Sequence, residues 1–281
     1  EEGLVIPPTL LFEGGEVNRA LRASLQAALG AGTAADLAAQ SSANRVGIDR
    51  LEQLITALSA ERYGNAIDQL NGYGRAVAEA GVRRIPDGRY CFEDVMDSDG
   101  HAAANCTIKV AITVADAAVQ VDFTGTSSAV PGNINCPLSV TAAGVFYVIR
   151  CLLPSETPAC AGAFDVVTIQ ATPGCLVHAQ RPAATAAGNV ETSMRIVDCM
   201  LGALAEALPN EIPAASQGTM NNVAMGQVGH WDYYETLGGG TGASANQKGI
   251  DAVQSHMTNT LNTPIEVLES NYPIQVLEYS D

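Results

Sequence analysis

The stretch "RRIPDGRYCFEDV", residues 83–95, marks a change in the spacing of the apolar residues. Before it, apolar side chains recur every three to four positions, and after it they alternate with polar ones. Pro86, Asp87 and Gly88 give a turn between the two patterns. We therefore predict an α+β protein, with a helical arm over residues 1–84 and an α+β body over residues 85–281.

The arm follows an extended lead-in and carries three helical patterns. Leu21 and Leu25 belong to the first pattern, and Gly30 and Gly32 end it. The predicted helices cover residues 16–29, 34–60 and 65–82.

The body is predicted to hold a mixed, largely antiparallel sheet packed with two long buried helices. Asn189 is the expected N-cap of the second of these helices. The predicted helices cover residues 139–153 and 190–208. Strands are predicted at residues 90–95, 107–114, 118–124, 164–174, 222–225, 233–237 and 273–277.

The composition is that of a globular protein with an acidic surface. Of the 281 residues, 47% are hydrophobic and 16% are charged, which leaves ample material for a buried core. The formal net charge is −16, which repels nucleic acid and anionic lipid. We therefore expect neither nucleic acid nor a membrane as a partner.

The cysteines and histidines do not follow the spacing of a metal site. The seven cysteines are odd in number and contain no C-x-x-C, and the four histidines contain no H-x-H or H-x-x-x-H. We expect reduced thiols, a cytoplasmic location and no metal bound by this chain.

The glycine-rich stretch at residues 240–245, "GTGASA", matches part of a dinucleotide-binding fingerprint. That fingerprint needs a helix opening from its last position, and the residues that follow lack helical periodicity. We therefore expect these glycines to permit close backbone approach or positive φ, and no cofactor to be bound by them.

Three other stretches are rich in amide and hydroxyl groups: "AAGNVETSMR" (186–195), "SQGTMNN" (216–222) and "SHMTNTLNT" (255–263). Such groups can surround a neutral polar ligand such as a cyclic amide or urea. Ordinary polar surface loops are the alternative. Three such stretches in one chain favour a shared polar site.

These stretches, with "VDFTGTSSAVPGNINCPLSVTAAGVFYVIRCLL", "YYETLGGGTGA" and "HMTNTLNTPIEVLESNYPI", resemble the hydantoinase B/oxoprolinase family over essentially the whole chain. The resemblance implies ATP-dependent opening of a five-membered cyclic amide, such as 5-oxoproline, hydantoin or N-methylhydantoin. It also implies a hydantoinase A-type partner subunit that binds ATP, and an oligomer. Related acetone and acetophenone carboxylases make carboxylation an alternative function, and a non-catalytic assembly module is a third.

One departure from the family pattern limits what this segment is expected to do. Motifs resembling N-D-P-Y…G-T-H and H-H-A-D, which supply the family's metal-binding residues, do not occur in it. We therefore expect an internal fragment that is inactive alone, with the divalent metal held by an N-terminal portion. The stretch "LNTPIE" (261–266) is more similar to the hydantoinase branch.

The polar stretches supply the candidate site residues. In the catalytic role, a carboxylate or an imidazole would move protons, and in the binding role, amides and carboxylates would hold the ring. A structural hydrogen bond is the alternative for each of them. Arg195 is expected to pair with Glu191, four residues before it on one helix face. The catalytic candidates are Glu235 and His256, and the substrate-binding candidates are Asn189, Glu191, Gln217, Asn221 and Asn259.

Overall fold

The structure, a computed structural model, describes residue 4 and residues 6–30, 32–258 and 260–279. The chain divides into two compact units, Glu1–Gly72 and Tyr73–Asp281. The functional domain boundary expected at residue 84 stays a prediction.

The first unit is built from helices, as predicted. A small hairpin of β1 (Phe12–Glu13) and β2 (Glu16–Val17) precedes α1 (Arg19–Leu29), α2 (Gly32–Leu58) and the start of α3 (Ala60–Val82). The first helix begins at Arg19 because the residues before it pair as a strand. Asn18 caps α1, since its Oδ1 accepts a hydrogen bond from Leu21 N at 3.0 Å. Leu25 is buried where α1 packs against α2.

The second unit contains a four-stranded sheet in the order β3-β4-β5-β6. The strands β3 (Gly88–Ser98), β4 (Ala103–Ala115) and β5 (Ala118–Asp122) are antiparallel, and β6 (Val167–Gln170) runs parallel to β5. Asp116 and Ala117 both have positive φ, which suits the tight turn between β4 and β5. The predicted mixed, largely antiparallel sheet is confirmed.

One helix packs on this sheet, and a second helix packs on the first. The helix α4 (Leu138–Leu152) packs on α5 (Ser193–Leu204), and α5 packs on β3 and β4. The buried side chains of α5 lie on nearly all sides of the helix because it is enclosed by α4 and the sheet. The prediction of two buried helices is confirmed.

The predicted N-cap at Asn189 is wrong. Asn189 lies inside a π-helical turn, Gly188–Thr192, that precedes α5, and the residue before α5, Thr192, makes no side-chain capping bond. We refer to Gly188–Thr192 as the π-turn.

The C-terminal third is less regular. Strands β7 (Asn221–Gln227) and β8 (Trp231–Leu237) lie where two short strands were predicted, and they pair as a separate hairpin. The helix α6 (Ile265–Asn271) follows a short 3₁₀ turn, His256–Thr258. The strand predicted at residues 273–277 is wrong, because those residues pair with no strand and Pro273 cannot donate a backbone hydrogen bond. Among the described helices, none combines the length and apolarity needed to cross a bilayer.

Candidate functional site

The π-turn is hydrogen-bonded to the segment at residues 133–136. The Ala187 N–H donates to Asn133 O at 2.9 Å, and the Thr192 hydroxyl donates to Ile134 O. A Cβ added at Gly188 would overlap the carbonyl of Asn135, so this position requires glycine. Single π-helical turns are rare and occur frequently at functional sites.

Asn135 is the centre of this support. Its side chain is fully buried, and the two N–H groups of its Nδ2 are shared among the carbonyls of Val130, Gly132 and Ala184, which lie 2.8–2.9 Å away. Its Oδ1 accepts from Val130 N at 2.8 Å. The amide is therefore satisfied by the backbone and fixes the loop on which the π-turn lies.

Glu191, on the π-turn, reaches the second polar stretch. Its carboxylate accepts a hydrogen bond from the Thr219 hydroxyl, at 2.7 and 2.6 Å to its two oxygens. Gln217 donates to Thr219 O at 2.6 Å and accepts from Gly240 N at 3.1 Å. Residues 186–195, residues 216–222 and the glycine-rich stretch therefore come together.

The expected pair between Arg195 and Glu191 is not formed. Arg195 instead makes ion pairs with Asp94 of β3, at 2.6 Å, and with Asp198, one helical turn further along α5. Asp198 is only 4% exposed, and burial raises its pKa, against the lowering effect of Arg195. The pairing is wrong because α5 packs on β3, which places Asp94 within reach of the guanidinium.

Gly218 lies directly against this ion-pair network. It has a φ of +74°, and a Cβ there would overlap Arg195 Nη2. Glycine is thus required both by the backbone conformation and by the close approach of the guanidinium.

Strand β3 is irregular where it meets the π-turn. Met96 pairs with Cys106 and Ser98 pairs with Ala103, so two steps along β3 face three steps along β4. The register shifts opposite Asp97, and the extra residue of this irregularity lies on β4. The side chain of Asp97 is exposed. A β-bulge redirects the side chain at the irregular position and is common beside active sites.

These features surround a cavity of about 390 Å³, which we call the Glu191 cleft. Its walls combine apolar side chains from β3 and the 133–136 segment with polar groups from the π-turn, α5 and the 216–220 loop. Its volume is within the range of small-molecule sites. The lining residues are Val95, Met96, Asp97, Ser98, Ile134, Glu191, Arg195, Gln217 and Gly218.

Glu235 lies on β8 and does not line this cleft. Its carboxylate accepts hydrogen bonds from the Tyr233 hydroxyl and from Thr263 N. Burial, followed by the hydrogen bond to Glu235, raises the pKa of Tyr233. In the described residues this carboxylate ties the end of the third polar stretch to β8.

His256 lies in the 3₁₀ turn that packs against α5 and the π-turn. Its Nδ1 is 3.2 Å from the Tyr147 hydroxyl of α4. Burial lowers the pKa of His256 and raises that of Tyr147 to about 12. Burial therefore favours the neutral form of this imidazole, which lies beside the same elements that carry Glu191.

The other three candidates differ in environment. Asn189 and Asn221 have exposed side chains, the former on the π-turn and the latter at the start of β7. Asn259 lies outside the described residues. Sequence reasoning missed Asp97 and Asn135. For Asp97 a signal exists, because the run Asp-Ser-Asp-Gly at residues 97–100 follows a predicted strand and is typical of irregular backbone.

The glycine-rich stretch packs closely against its own chain. A Cβ at Gly242 would overlap Ala214 O, and one at Gly239 would overlap the Gln217 side chain. Gly240 has a φ of +138° and no helix follows it. The prediction that these glycines serve close backbone approach and positive φ is confirmed.

The described side chains also do not fit a metal ion. Across residues 6–30, 32–258 and 260–279, no three His, Cys, Asp or Glu side chains come together in a group that could hold one. We therefore assign no step of any reaction on these residues to a metal.

Comparison with protein families gives one match over nearly the whole chain. The family model described as Hydantoinase B/oxoprolinase matches residues 1–280. An uncharacterised protein of Methanocaldococcus jannaschii is 36% identical over 99% of this chain, which spans 49% of that protein. The 5-oxoprolinase 1 of Arabidopsis thaliana is 35% identical over 85% of the chain and 19% of its own length. A putative B-type subunit of a D-/L-hydantoinase from a Pseudomonas species is 31% identical over 87% of the chain and 43% of its own length.

Two solved structures share the fold. The ATP-dependent caprolactamase from Pseudomonas jessenii matches with a TM-score of 0.87 over 99% of this chain and 50% of its own, at 24% identity. A nucleotide-free acetone carboxylase matches with a TM-score of 0.63 over 79% of this chain and 33% of its own, at 16% identity. The chain thus spans about half the length of the Methanocaldococcus jannaschii relative and of the caprolactamase chain.

Proposed function

The chain belongs to the hydantoinase B/oxoprolinase family, and from this premise we propose that it forms the substrate-pocket segment of the B-type subunit of an ATP-dependent cyclic-amide hydrolase. Relatives named as 5-oxoprolinase, hydantoinase and caprolactamase support this class of reaction. The observation that carries the proposal is the Glu191 cleft, in which two polar stretches of the sequence meet beside an apolar wall.

A small cyclic amide presents one N–H and one carbonyl on an otherwise apolar ring. In the cleft, Val95, Met96 and Ile134 offer apolar surface to the ring. The Glu191 carboxylate accepts the ring N–H, and the Thr219 hydroxyl fixes the orientation of that carboxylate.

The amide candidates divide into two roles. Gln217 shapes the wall of the cleft, because both ends of its amide are already bonded to Thr219 and Gly240. Asn189, Asn221 and Asn259 remain proposed substrate contacts in the complete enzyme, where further chain can close over the exposed amides of the first two.

Glu235 and His256 are proposed to move protons during ring opening. A neutral imidazole is the form that accepts a proton, and burial favours that form at His256. In the complete complex, Glu235→Gln and His256→Asn should each lower turnover while leaving assembly intact. Unchanged turnover in both variants would assign these residues a structural role.

ATP and a divalent metal are proposed to be held outside the described residues. The glycine-rich stretch packs against its own chain, and no group of metal-ligating side chains was found in the described ranges. We propose that ATP is held by a hydantoinase A-type subunit and that residues beyond this segment bind the metal. The cytoplasmic location stays a prediction.

The companion subunit needs a surface on which to dock. The C-terminal half of α2 has exposed apolar side chains at helical spacing, Ile48, Leu51, Leu54 and Leu58. A relative whose name describes it as one subunit of a hydantoinase indicates that assembly with another chain occurs in this family. We call these four side chains the α2 stripe and propose that the A-type subunit covers it. The assembly hypothesis rests on this contact.

The test of the proposed function is ring opening by the complete complex. Purified with its companion subunit, the enzyme should open hydantoin, 2-pyrrolidinone or ε-caprolactam, with one ATP hydrolysed per ring opened and no requirement for bicarbonate. Omission of ATP should abolish turnover.

Carboxylation is the second candidate, favoured by the fold shared with acetone carboxylase. A strict dependence of turnover on bicarbonate, with carbon from bicarbonate recovered in the product, would overturn the hydrolase proposal and support a carboxylase.

A further inference from the structure

The Glu191 cleft has an unbalanced charge. The two carboxylates that line it, Glu191 and Asp97, have no cationic partner in the described part of the chain. Glu191 is hydrogen-bonded to the neutral hydroxyl of Thr219, and Asp97 lines the cleft with an exposed side chain. An incoming ligand therefore meets two negative charges.

The one cation among the described lining residues is already neutralised. Arg195 is paired with Asp94 through Nη1 and with Asp198 through Nη2, and its side chain is 19% exposed. These two carboxylates offset the positive charge of the guanidinium, so an anion in the cleft would meet a cation that is already paired.

The Nε–H donor of Arg195 is not available to an anion either. Its Nε has no hydrogen-bond partner in the described residues, but the atom is buried. The backbone of Gly218 lies against the guanidinium, so close that any side chain there would overlap it. Arg195 thus serves to bind β3, α5 and the 216–220 loop together and leaves the cleft negative.

We propose that the Glu191 cleft accepts uncharged cyclic amides and rejects rings that carry a carboxylate. This inference rests on the proposed ring-opening function and names the substrate class of the same site. A ring N–H is a donor that the Glu191 carboxylate accepts, whereas a substrate carboxylate would face Glu191 and Asp97 with no free cation to bind it. Like charges brought together across a binding surface oppose association, and such repulsion is a source of specificity.

Two substrates isolate this effect, because 2-pyrrolidinone and 5-oxoproline share the same five-membered lactam ring and differ in one carboxylate. With the complete complex and ATP, we expect kcat/KM for 2-pyrrolidinone to exceed that for 5-oxoproline by about tenfold or more. Raising the salt concentration should reduce this ratio, since salt screens charge repulsion.

The variant that tests the residues is Asp97→Asn, which removes one charge and keeps the shape. It should lower the ratio by about threefold or more, mainly by improving the use of 5-oxoproline. Asp116→Asn is the matched control, since Asp116 is exposed in the turn between β4 and β5 and does not line the cleft. This control should leave the ratio unchanged.

The outcomes separate the inference from the function on which it rests. Ring opening of 5-oxoproline with a kcat/KM equal to or above that of 2-pyrrolidinone would overturn the inference and leave the hydrolase proposal standing. An equal fall of the 2-pyrrolidinone to 5-oxoproline ratio in Asp97→Asn and Asp116→Asn would also overturn the inference. In that case the total charge of the protein, and not the charge of the cleft, would determine the substrate preference. No ATP-dependent opening of any ring would overturn both.

Discussion

Glu191 and Asp97 reach the same cleft because a regular element is interrupted at each of them. Glu191 lies in the π-turn before α5, and Asp97 lies in β3 opposite the bulge of β4. Both interruptions are supported by buried polar groups, Asn135 beneath the π-turn and Asp99 beside the bulge. Asp99 accepts hydrogen bonds from the backbone of His101, Ala102 and Gly132, which lower its pKa.

The support from Asn135 gives the first prediction at this scale. Asn135→Asp keeps the shape but replaces an amide whose two N–H groups serve three backbone carbonyls by a carboxylate that cannot donate. Since each buried acceptor left unpaired costs about 1–3 kcal/mol, we expect the free energy of unfolding to fall by about 3 kcal/mol or more. Urea denaturation measures it, with Asn246→Asp in an exposed loop as the control. A change of under about 1 kcal/mol would contradict the support assigned to Asn135.

His256 predicts a pH dependence of stability. Burial lowers its pKa below 6.5, so the folded protein binds this proton less readily than the unfolded chain. The contribution of His256 is therefore fully present above about pH 6.5 and is lost as pH falls through the lowered pKa.

The variant that isolates this contribution is His256→Asn, because asparagine tolerates the positive φ of 52° at this position. Its free energy of unfolding should fall less steeply than that of the parent protein between about pH 7.5 and pH 5. The exposed His230→Asn serves as the control. Parallel curves for the parent and His256→Asn would show that burial does not disfavour the charged imidazole.

At the scale of elements, the spacing of apolar residues is sufficient to predict most of the helices and strands. The helices of the arm, the meander of β3 to β5 and the two buried helices follow from apolar spacing, which directly reports the buried face. Apolar spacing does not predict the π-turn, and it does not predict that β6 pairs in parallel with β5. Both features depend on contacts between residues that are far apart in the sequence. The strand predicted at residues 273–277 failed for the same reason, since a β-prone segment needs a partner strand.

The α2 stripe gives a prediction about assembly. Leu51→Glu combined with Leu54→Glu places two charges on the stripe and should weaken association with the A-type subunit by about tenfold or more. Gln53→Glu combined with Thr56→Glu adds the same charge on another face of α2 and should leave association unchanged. Sedimentation of the mixed subunits measures both. Equal association of the two double variants would show that the stripe does not bind the partner.

At the scale of the whole molecule, residue chemistry selected some of the side chains that line the candidate cleft. Sequence reasoning selected Glu191 and Gln217, which line one cleft, and three polar stretches that lie against shared elements. It did not find Asp97, since the position of a bulge depends on the register between two strands. It also assigned Arg195 the wrong partner, because helix spacing alone does not show that β3 packs against α5.

The segment spans about half the length of the Methanocaldococcus jannaschii relative, so the complete complex is the form in which the site must be tested. The net charge of −16 and the negative cleft both favour neutral substrates over anionic ones. In the proposed complex, the described residues supply the ring-binding surface, and the ATP comes from the companion subunit.

The central claim is that the Glu191 carboxylate binds the ring in the cleft, and the most direct test is ATP-dependent ring opening by the complete complex carrying Glu191→Gln. Removing a charge-assisted hydrogen bond should lower kcat/KM for 2-pyrrolidinone by about 10- to 100-fold. Glu206→Gln, at an exposed position beyond α5, should leave it unchanged. Equal kcat/KM for Glu191→Gln and Glu206→Gln would contradict the account.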